Sequence, residues 1–331
     1  MNLVKTRKLS AKLFKDNIEV EPIRTGFGRG LVDAGKKNPK VVAMCADLTE
    51  STHMQPFKDA YLDRFIEVGV AEQNLVTVAS GLAAVGKVPF ATSYAGFSPG
   101  RNWEQIRTTI CLNDRNVKII GSHAGLSVGP DGATHQMLED IALMRVLPNM
   151  TVVVPCDSIE AQKATLALAG TKSPAYLRLA REGTAIITTQ DSPFKLGKAQ
   201  MLCNGEDITI VACGPLVYEA LKAALILKHH SISAEVINCA TIKPLDGDTI
   251  ISSVKKTRRI ITVEEAQASG GLGGAISELV ASRFPVPVVR LGIQDRFGQS
   301  GTVEQLWQEY QIDDKSIVKY SRELVKKVNK K

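Results

Sequence analysis

The chain has 331 residues, 44% of them apolar and 23% charged, a balance that suits two folded domains of ordinary size and excludes a disordered chain. Its net charge of +7 would permit nucleic-acid binding, but Lys and Arg concentrate only at the two ends, Lys5 to Lys15 and Lys326 to Lys331. With 5% aromatic residues there is no interleaved stacking platform, so no nucleic-acid partner is expected, and the positive surplus suits anionic small substrates.

From Arg24 onward, helical periodicity alternates with short β-branched runs. The expected strands are Val41 to Ala46, Val88 to Ser93, Val117 to Gly121, Thr151 to Val154 and Ala175 to Leu179. Helices are expected between them at Arg24 to Lys37, Ala71 to Val85, Arg101 to Leu112, Gln136 to Arg145 and Ser158 to Ala169. Such alternation predicts a parallel sheet covered by helices on both faces, with binding residues at the carboxyl ends of the strands. Glycine, proline and polar residues then cluster from Arg181 to Gly197, which sets a first domain at 1–185, a linker at 186–196 and a second domain at 197–331. The second domain repeats the alternation, with strands at Asp207 to Cys213, Ala234 to Asn238, Arg259 to Val263 and Val286 to Leu291. Its expected helices are Leu216 to Lys228, Leu245 to Ser253 and Gly273 to Arg283. The predicted fold class is α/β: two consecutive domains with mostly parallel sheets covered by helices.

Six cysteines are spread without a CxxC pair, and four lie in apolar runs, so they read as reduced core residues of a cytoplasmic protein. No apolar run approaches the roughly 20 residues of a membrane helix, and no apolar signal segment follows the basic N-terminus.

Three constellations carry candidate chemistry. In the first, Glu72 stands at the start of an apolar helix, and Tyr94 and Phe97 follow the next strand. A carboxylate in a dry setting facing a flat aromatic slot is what a protein needs to tautomerise a heteroaromatic cofactor. An acidic first-turn residue complementing the helix dipole is the competing structural reading. In the second, Gly121-Ser-His123-Ala-Gly-Leu-Ser-Val-Gly-Pro-Asp131-Gly-Ala-Thr-His135-Gln reads as a mobile glycine-rich loop at the functional edge of the sheet. Its histidines and aspartate suit a polyhydroxylated ligand or proton transfer, while their wide spacing without a thiolate argues against zinc, and no metal site is expected. In the third, Asp47 and Ser51 follow the first strand and Arg178 to Arg181 follow the last strand of the first domain; an arginine fork suits phosphate. The glycines at 270, 271, 273 and 274 do not form G-x-G-x-x-G, and close helix packing explains them better than a nucleotide.

Glu-Val-Gly-Val-Ala-Glu72-Gln-Asn, Thr-Ser-Tyr94-Ala-Gly-Phe97, Ser-His123-Ala-Gly, Asp131-Gly-Ala-Thr-His135-Gln, Arg-Val-Leu-Pro-Asn149 and Val-Pro-Cys-Asp157, in this order, resemble transketolase. The resemblance covers its pyrimidine-binding and C-terminal domains, from about Arg24 to the end. It implies that Glu72 hydrogen-bonds N1′ of the aminopyrimidine of thiamine diphosphate. Tyr94 matches the aromatic that stacks on the pyrimidine, Phe97 a second wall, and Asp47 an aspartate bordering the cofactor. His123 and Asp131 match groups contacting sugar hydroxyls, and His135 the histidine that assists proton transfer. Arg24, Ser51 and Arg181 match positions that bind the sugar phosphate; Thr-Gly-Phe-Gly after Arg24 departs from the commoner pattern. The family's diphosphate and Mg2+ motif, Gly-Asp-Gly followed by Asn, has no counterpart, since Gly247 is flanked by Asp246 and Asp248. The chain therefore resembles the C-terminal subunit of a split transketolase, with a separate N-terminal subunit holding the Mg2+ in an α2β2 assembly. Such an enzyme moves a two-carbon ketol group between sugar phosphates of pentose phosphate metabolism. The rival readings are the β subunit of a 2-oxo acid dehydrogenase, which lacks such a sugar-binding loop, and a noncatalytic regulatory subunit.

Overall fold

A computed structural model describes residues 1–328. Two mostly parallel sheets organise them. The first has seven strands in the order Thr241–Lys243, Thr151–Val153, Ala175–Arg178, Lys118–Ser122, Val88–Tyr94, Val41–Cys45 and Phe65–Glu67. All pairs are parallel except that of Thr241–Lys243 with Thr151–Val153. The second has six strands in the order Asn2–Leu3, Gln200–Asn204, Ala234–Asn238, Ile208–Ala212, Ile260–Gln267 and Val288–Ile293, its first two pairs antiparallel. The expected α/β class and the five expected strands of the first sheet are present. Val41–Cys45 and Lys118–Ser122 are buried along their whole length, as strands covered on both faces must be.

Each sheet borrows a strand from the other half of the chain. Asn2–Leu3 pairs with the second sheet, while Thr241–Lys243 closes one edge of the first. A single apolar cluster consequently runs between them, including Met150, Val152 and Val154 with Ile237, Cys239 and Ile242. All six cysteines are free and buried, the four in apolar runs and the other two alike.

Three local departures from the expected elements have physical causes. The expected helix over Arg101 to Leu112 is an α-turn at Trp103–Gln105 followed by a π-helical stretch, Ile106–Cys111. Thr108 and Thr109 donate their hydroxyls to the carbonyls of Glu104 and Gln105 at 3.0 and 2.6 Å, which diverts the backbone ladder. The helix expected from Gln136 starts only at Asp140, because Met137 and Leu138 accept from the backbone amides of Gly125 and Gln267 at 2.9 and 2.8 Å. The third departure is Phe65–Glu67, a three-residue edge strand with too little sequence to show an alternation. Two C-terminal helices, Val303–Glu309 and Asp314–Val328, have no counterpart among the expected elements.

Asp246 and Gly271 resolve two ambiguous motifs. Asp246 caps the Gly247–Thr257 helix and accepts from the amides of Thr249 and Ala199 at 3.4 and 3.1 Å. At Gly271, a Cβ would stand 2.1 Å from an oxygen of Glu264. That carboxylate instead accepts two amides of the next helix, Leu272 and Gly273, each at 2.7 Å, so the glycines serve close packing.

Candidate active site

Because the strands of the first sheet run parallel, their carboxyl ends share one edge, and this edge collects Asp47, Glu67, Tyr94, His123 and Arg181. The Val88–Tyr94 strand ends on Tyr94, whose ring lies 5.7 Å from Phe97 at 28°. His123, the residue after the neighbouring strand, stacks on Tyr94 at 3.8 Å and 24°. His135 closes the group, edge-on to Phe97 at 5.6 Å and to Tyr94 at 6.4 Å. Four predicted residues from three segments thus form one aromatic cluster.

Glu72 opens the Glu72–Ala84 helix and is 5% exposed. Asn102 fixes its backbone by donating Nδ2 to the Glu72 carbonyl at 2.7 Å. The side-chain carboxylate accepts from Arg101 Nη1 at 3.2 and 3.3 Å on its two oxygens. The same guanidinium sits 4.2 Å over the Phe97 ring. A planar cationic N–H donor is therefore both stacked on the aromatic wall and bonded to the buried acid, so this donor set accommodates a flat, nitrogen-bearing ring. Sequence reasoning placed Arg101 only at a helix start; its spacing of four from Phe97 was the available signal.

His123 is 3% exposed, and its Nδ1 lies 2.9 Å from Ser122 Oγ. Burial, followed by the positive charges of Arg24 and Arg181, pushes its pKa down to about 3. The ring is therefore neutral at ordinary pH and can offer hydrogen bonds but no stored proton. His135 is half-buried, with Nδ1 3.0 Å from Thr134 Oγ1.

Arg24 and Arg181 lie together: Arg24 Nη1 donates to the Arg181 carbonyl. Arg24 Nε is buried without a hydrogen-bond partner, and burial and the charge of Arg181 lower the Arg24 pKa. Two guanidiniums, one with an orphaned donor, make a place where an anion is favourable. Arg181 also donates to the Val128 carbonyl at 2.9 Å and stands 3.7 Å from Asp131, which ties the loop to this basic corner. Ser51 is exposed in the turn that follows Cys45. Asp47 is likewise exposed, in the left-handed region at φ 58°, and its amide donates to Glu67 Oε1 at 2.8 Å. Glu67, absent from the expected set, also accepts from the Gly69 amide at 3.0 Å and so links the Asp47 turn to the approach to Glu72.

The loop from His123 to His135 is not the open glycine-rich segment its composition suggests. Leu126–Asp131 is wound into 3-10 turns, and Leu126 to Gly129 are buried. Asp157, Arg178 and Asn149 have structural duties. Asp157 caps the Ser158–Ala169 helix and accepts from the amides of Ile187 and Thr188, Arg178 pairs with Asp140 at 2.8 Å, and Asn149 bonds the Cys111 carbonyl at 3.0 Å.

The family model described as transketolase, pyrimidine binding domain, matches residues 22–185, and that described as transketolase, C-terminal domain, matches residues 197–317. A protein of Methanocaldococcus jannaschii, provisionally named a transketolase C-terminal section, is 44% identical over 92% of this chain and 96% of its own length. A 6-deoxy-6-sulfo-D-fructose transketolase subunit of a Clostridium strain is 36% identical over 96% of this chain and 98% of its own. Among solved structures, one titled as a split gene transketolase, inactive beta4 tetramer, superposes with a TM-score of 0.86 at 40% identity, covering 92% of this chain and 98% of that one.

Proposed function

The chain belongs to the transketolase family, and from that premise we propose that it is one subunit of a two-chain transketolase. In this reading it moves a two-carbon ketol group from a ketose phosphate to an aldose phosphate, in pentose phosphate metabolism. Thiamine diphosphate supplies the carbanion chemistry that breaking the ketose C2–C3 bond requires. The observation that carries the reading is the pairing of buried Glu72 with a planar N–H donor stacked on Phe97, a donor set that an aminopyrimidine also meets.

This chain's residues then divide the work. Glu72 bonds the pyrimidine N1′ and holds the proton there; Phe97 and Tyr94 wall the ring, with Asp47 at the border. Neutral His123 and Asp131 hydrogen-bond the sugar hydroxyls, and His135 moves a proton as the sugar is cleaved. Arg24 and Arg181, with Ser51, take the sugar phosphate. A relative named for 6-deoxy-6-sulfo-D-fructose supports reading the sugar choice as variable within the family.

Similarity to a transketolase C-terminal section over 96% of its length and to a split gene transketolase chain over 98% of its length supports a separate N-terminal subunit for the diphosphate and its Mg2+, joined as α2β2. The Glu72 helix supports an interface on this chain: Val70 and Val85 are 70% and 77% exposed, Val78 is exposed, and around Gly81 nothing lies within 4 Å of a built Cβ. Val78, Gly81 and Val85 follow one another at helical spacing on one face, and Val70 precedes the first turn. The test combines this chain with a Gly-Asp-Gly-bearing subunit, thiamine diphosphate, Mg2+, a pentulose phosphate and an aldose phosphate. Transfer by the mixture alone supports the proposal; transfer at full rate by this chain alone overturns the two-chain reading, and no transfer in any mixture overturns the activity.

A further inference from the structure

The loop that carries His123, Asp131 and His135 hangs from the first sheet, yet two of its fixed points, Glu265 and Gln299, lie in the second domain. Glu265, in the Ile260–Gln267 strand, is 1% exposed and spends both carboxylate oxygens on one loop residue. Oε2 accepts the Ser127 amide at 3.0 Å and Oε1 the Ser127 hydroxyl at 2.9 Å. Trp307 Nε1 approaches Oε2 at 3.4 Å, and Arg178 Nη1 lies 3.5 Å from Oε1. Gly125 makes the approach possible: at φ 84°, any Cβ there would stand 2.5 Å from the Glu265 carboxyl carbon. Gln136 secures the other end, its Nε2 donating to Leu126 and Gly129 within the loop and to the Gln299 carbonyl at 3.0 Å.

We propose that Glu265 is a positioning residue for the sugar-binding loop: the second domain, which among the described residues contributes no side chain to the cluster around Tyr94, sets His123 and Asp131 through the Glu265–Ser127 clamp. The loop's role in binding sugar rests on the function proposed above. A buried carboxylate with two charge-assisted bonds to one residue holds that residue in one place more firmly than neutral contacts can. His123 is four residues before Ser127 and Asp131 four after, so both lie within reach of a shift at the clamp. Glu265 is not required to balance Arg178, because Asp140 accepts Arg178 Nε at 2.8 Å and is itself bonded by Tyr176 at 2.7 Å.

Glu264 is the internal control. It is equally buried and next in sequence, but it holds the Leu272–Arg283 helix rather than the loop. The experiment compares Glu265→Gln, Glu264→Gln and Ser127→Ala by hydrogen–deuterium exchange of the full chain, then by ketol-transfer kinetics with the partner subunit. Glu265→Gln is expected to speed exchange of the segment 124–136 by about tenfold or more and leave 272–283 protected, with the reverse pattern for Glu264→Gln. In the assembled enzyme Glu265→Gln raises KM for sugar phosphate severalfold while thiamine diphosphate affinity stays unchanged; Glu265→Asp restores part of the loss. Unchanged exchange at 124–136 in Glu265→Gln, or the same regions loosened by both glutamate variants, overturns the proposal. If Glu265→Gln does not fold, Ser127→Ala decides: it deletes the hydroxyl half of the clamp from the loop side and keeps the amide half, so exchange of 124–136 should still rise severalfold, and unchanged exchange there overturns the proposal. If the wild-type mixture shows no transfer, the proposed function fails while the exchange data still decide the clamp.

Discussion

Arg101 holds Nη1 3.2 Å from Oε1 of Glu72 and keeps its guanidinium carbon 4.2 Å above the Phe97 ring. The arginine side chain is half exposed whereas the acid is buried, so the pair contributes no more than about 1 kcal/mol, and the carboxylate is available to a better-placed partner. Glu72→Gln keeps the shape and the Asn102 contact to the backbone but cannot exchange a proton. In the reconstituted enzyme its transfer rate is expected to fall by about 10²–10⁴-fold, with assembly unchanged by sedimentation. Retained turnover would remove Glu72 from its assigned role.

His123 provides a pH test. Its folded pKa is about 3 against the ordinary 6.5, because the buried ring cannot accept charge beside Arg24 and Arg181. Between those values the unfolded chain binds a proton that the folded chain refuses, so stability is full above pH 6.5 and falls as the pH drops through the window. From pH 6.5 to 5.5 the loss from this residue is about 1 kcal/mol. Urea melts across that range should show a shallower acid decline for His123→Asn than for the parent chain. Equal slopes would mean that His123 titrates normally.

Much of the fold was legible because buried parallel strands are short apolar runs with β-branched residues, and Val41–Cys45, Ala234–Asn238 and Ala175–Arg178 follow that pattern within a residue. The aromatic cluster was legible through motif order, since Tyr94, Phe97, His123 and His135 belong to segments that parallel strands must bring to one edge. What escaped was set by tertiary contact. Arg101 reads as a surface helix residue until Phe97 and Glu72 are seen around it. Glu265 reads as a strand-end acid until Ser127, more than a hundred residues away, is found bonded to it. The expected helix from Gln136 failed for the same reason, its first turn being drawn to Gly125 and Gln267.

The Arg24–Arg181 corner predicts a selective loss. Removing Arg181 by Arg181→Gln deletes one anion-binding fork and the contact near Asp131, while Glu72 and the aromatic wall are left in place. KM for a phosphorylated ketose should rise by about tenfold or more, with little change for its unphosphorylated counterpart. Steady-state kinetics on the two sugars measure the split. An equal loss on both would assign Arg181 to loop structure instead of phosphate binding.

The exposed face of the Glu72–Ala84 helix makes the assembly testable without any assay of turnover. Leu75, Val76 and Ala79 bury the inner face, leaving Val78, Gly81 and Val85 to present apolar or bare backbone surface to solvent. Because Val78 is 36% exposed, a lysine there can snorkel its ammonium into water and should cost the isolated fold less than about 0.5 kcal/mol. Across a subunit interface the same lysine would lose water and find no apolar partner, at a cost of several kcal/mol. Val78→Lys should therefore leave circular dichroism and the melting temperature of the separated chain nearly unchanged while sedimentation shows smaller species, both alone and with the partner subunit. Oligomers that survive the substitution would place the interface elsewhere and leave this stripe without an occupant.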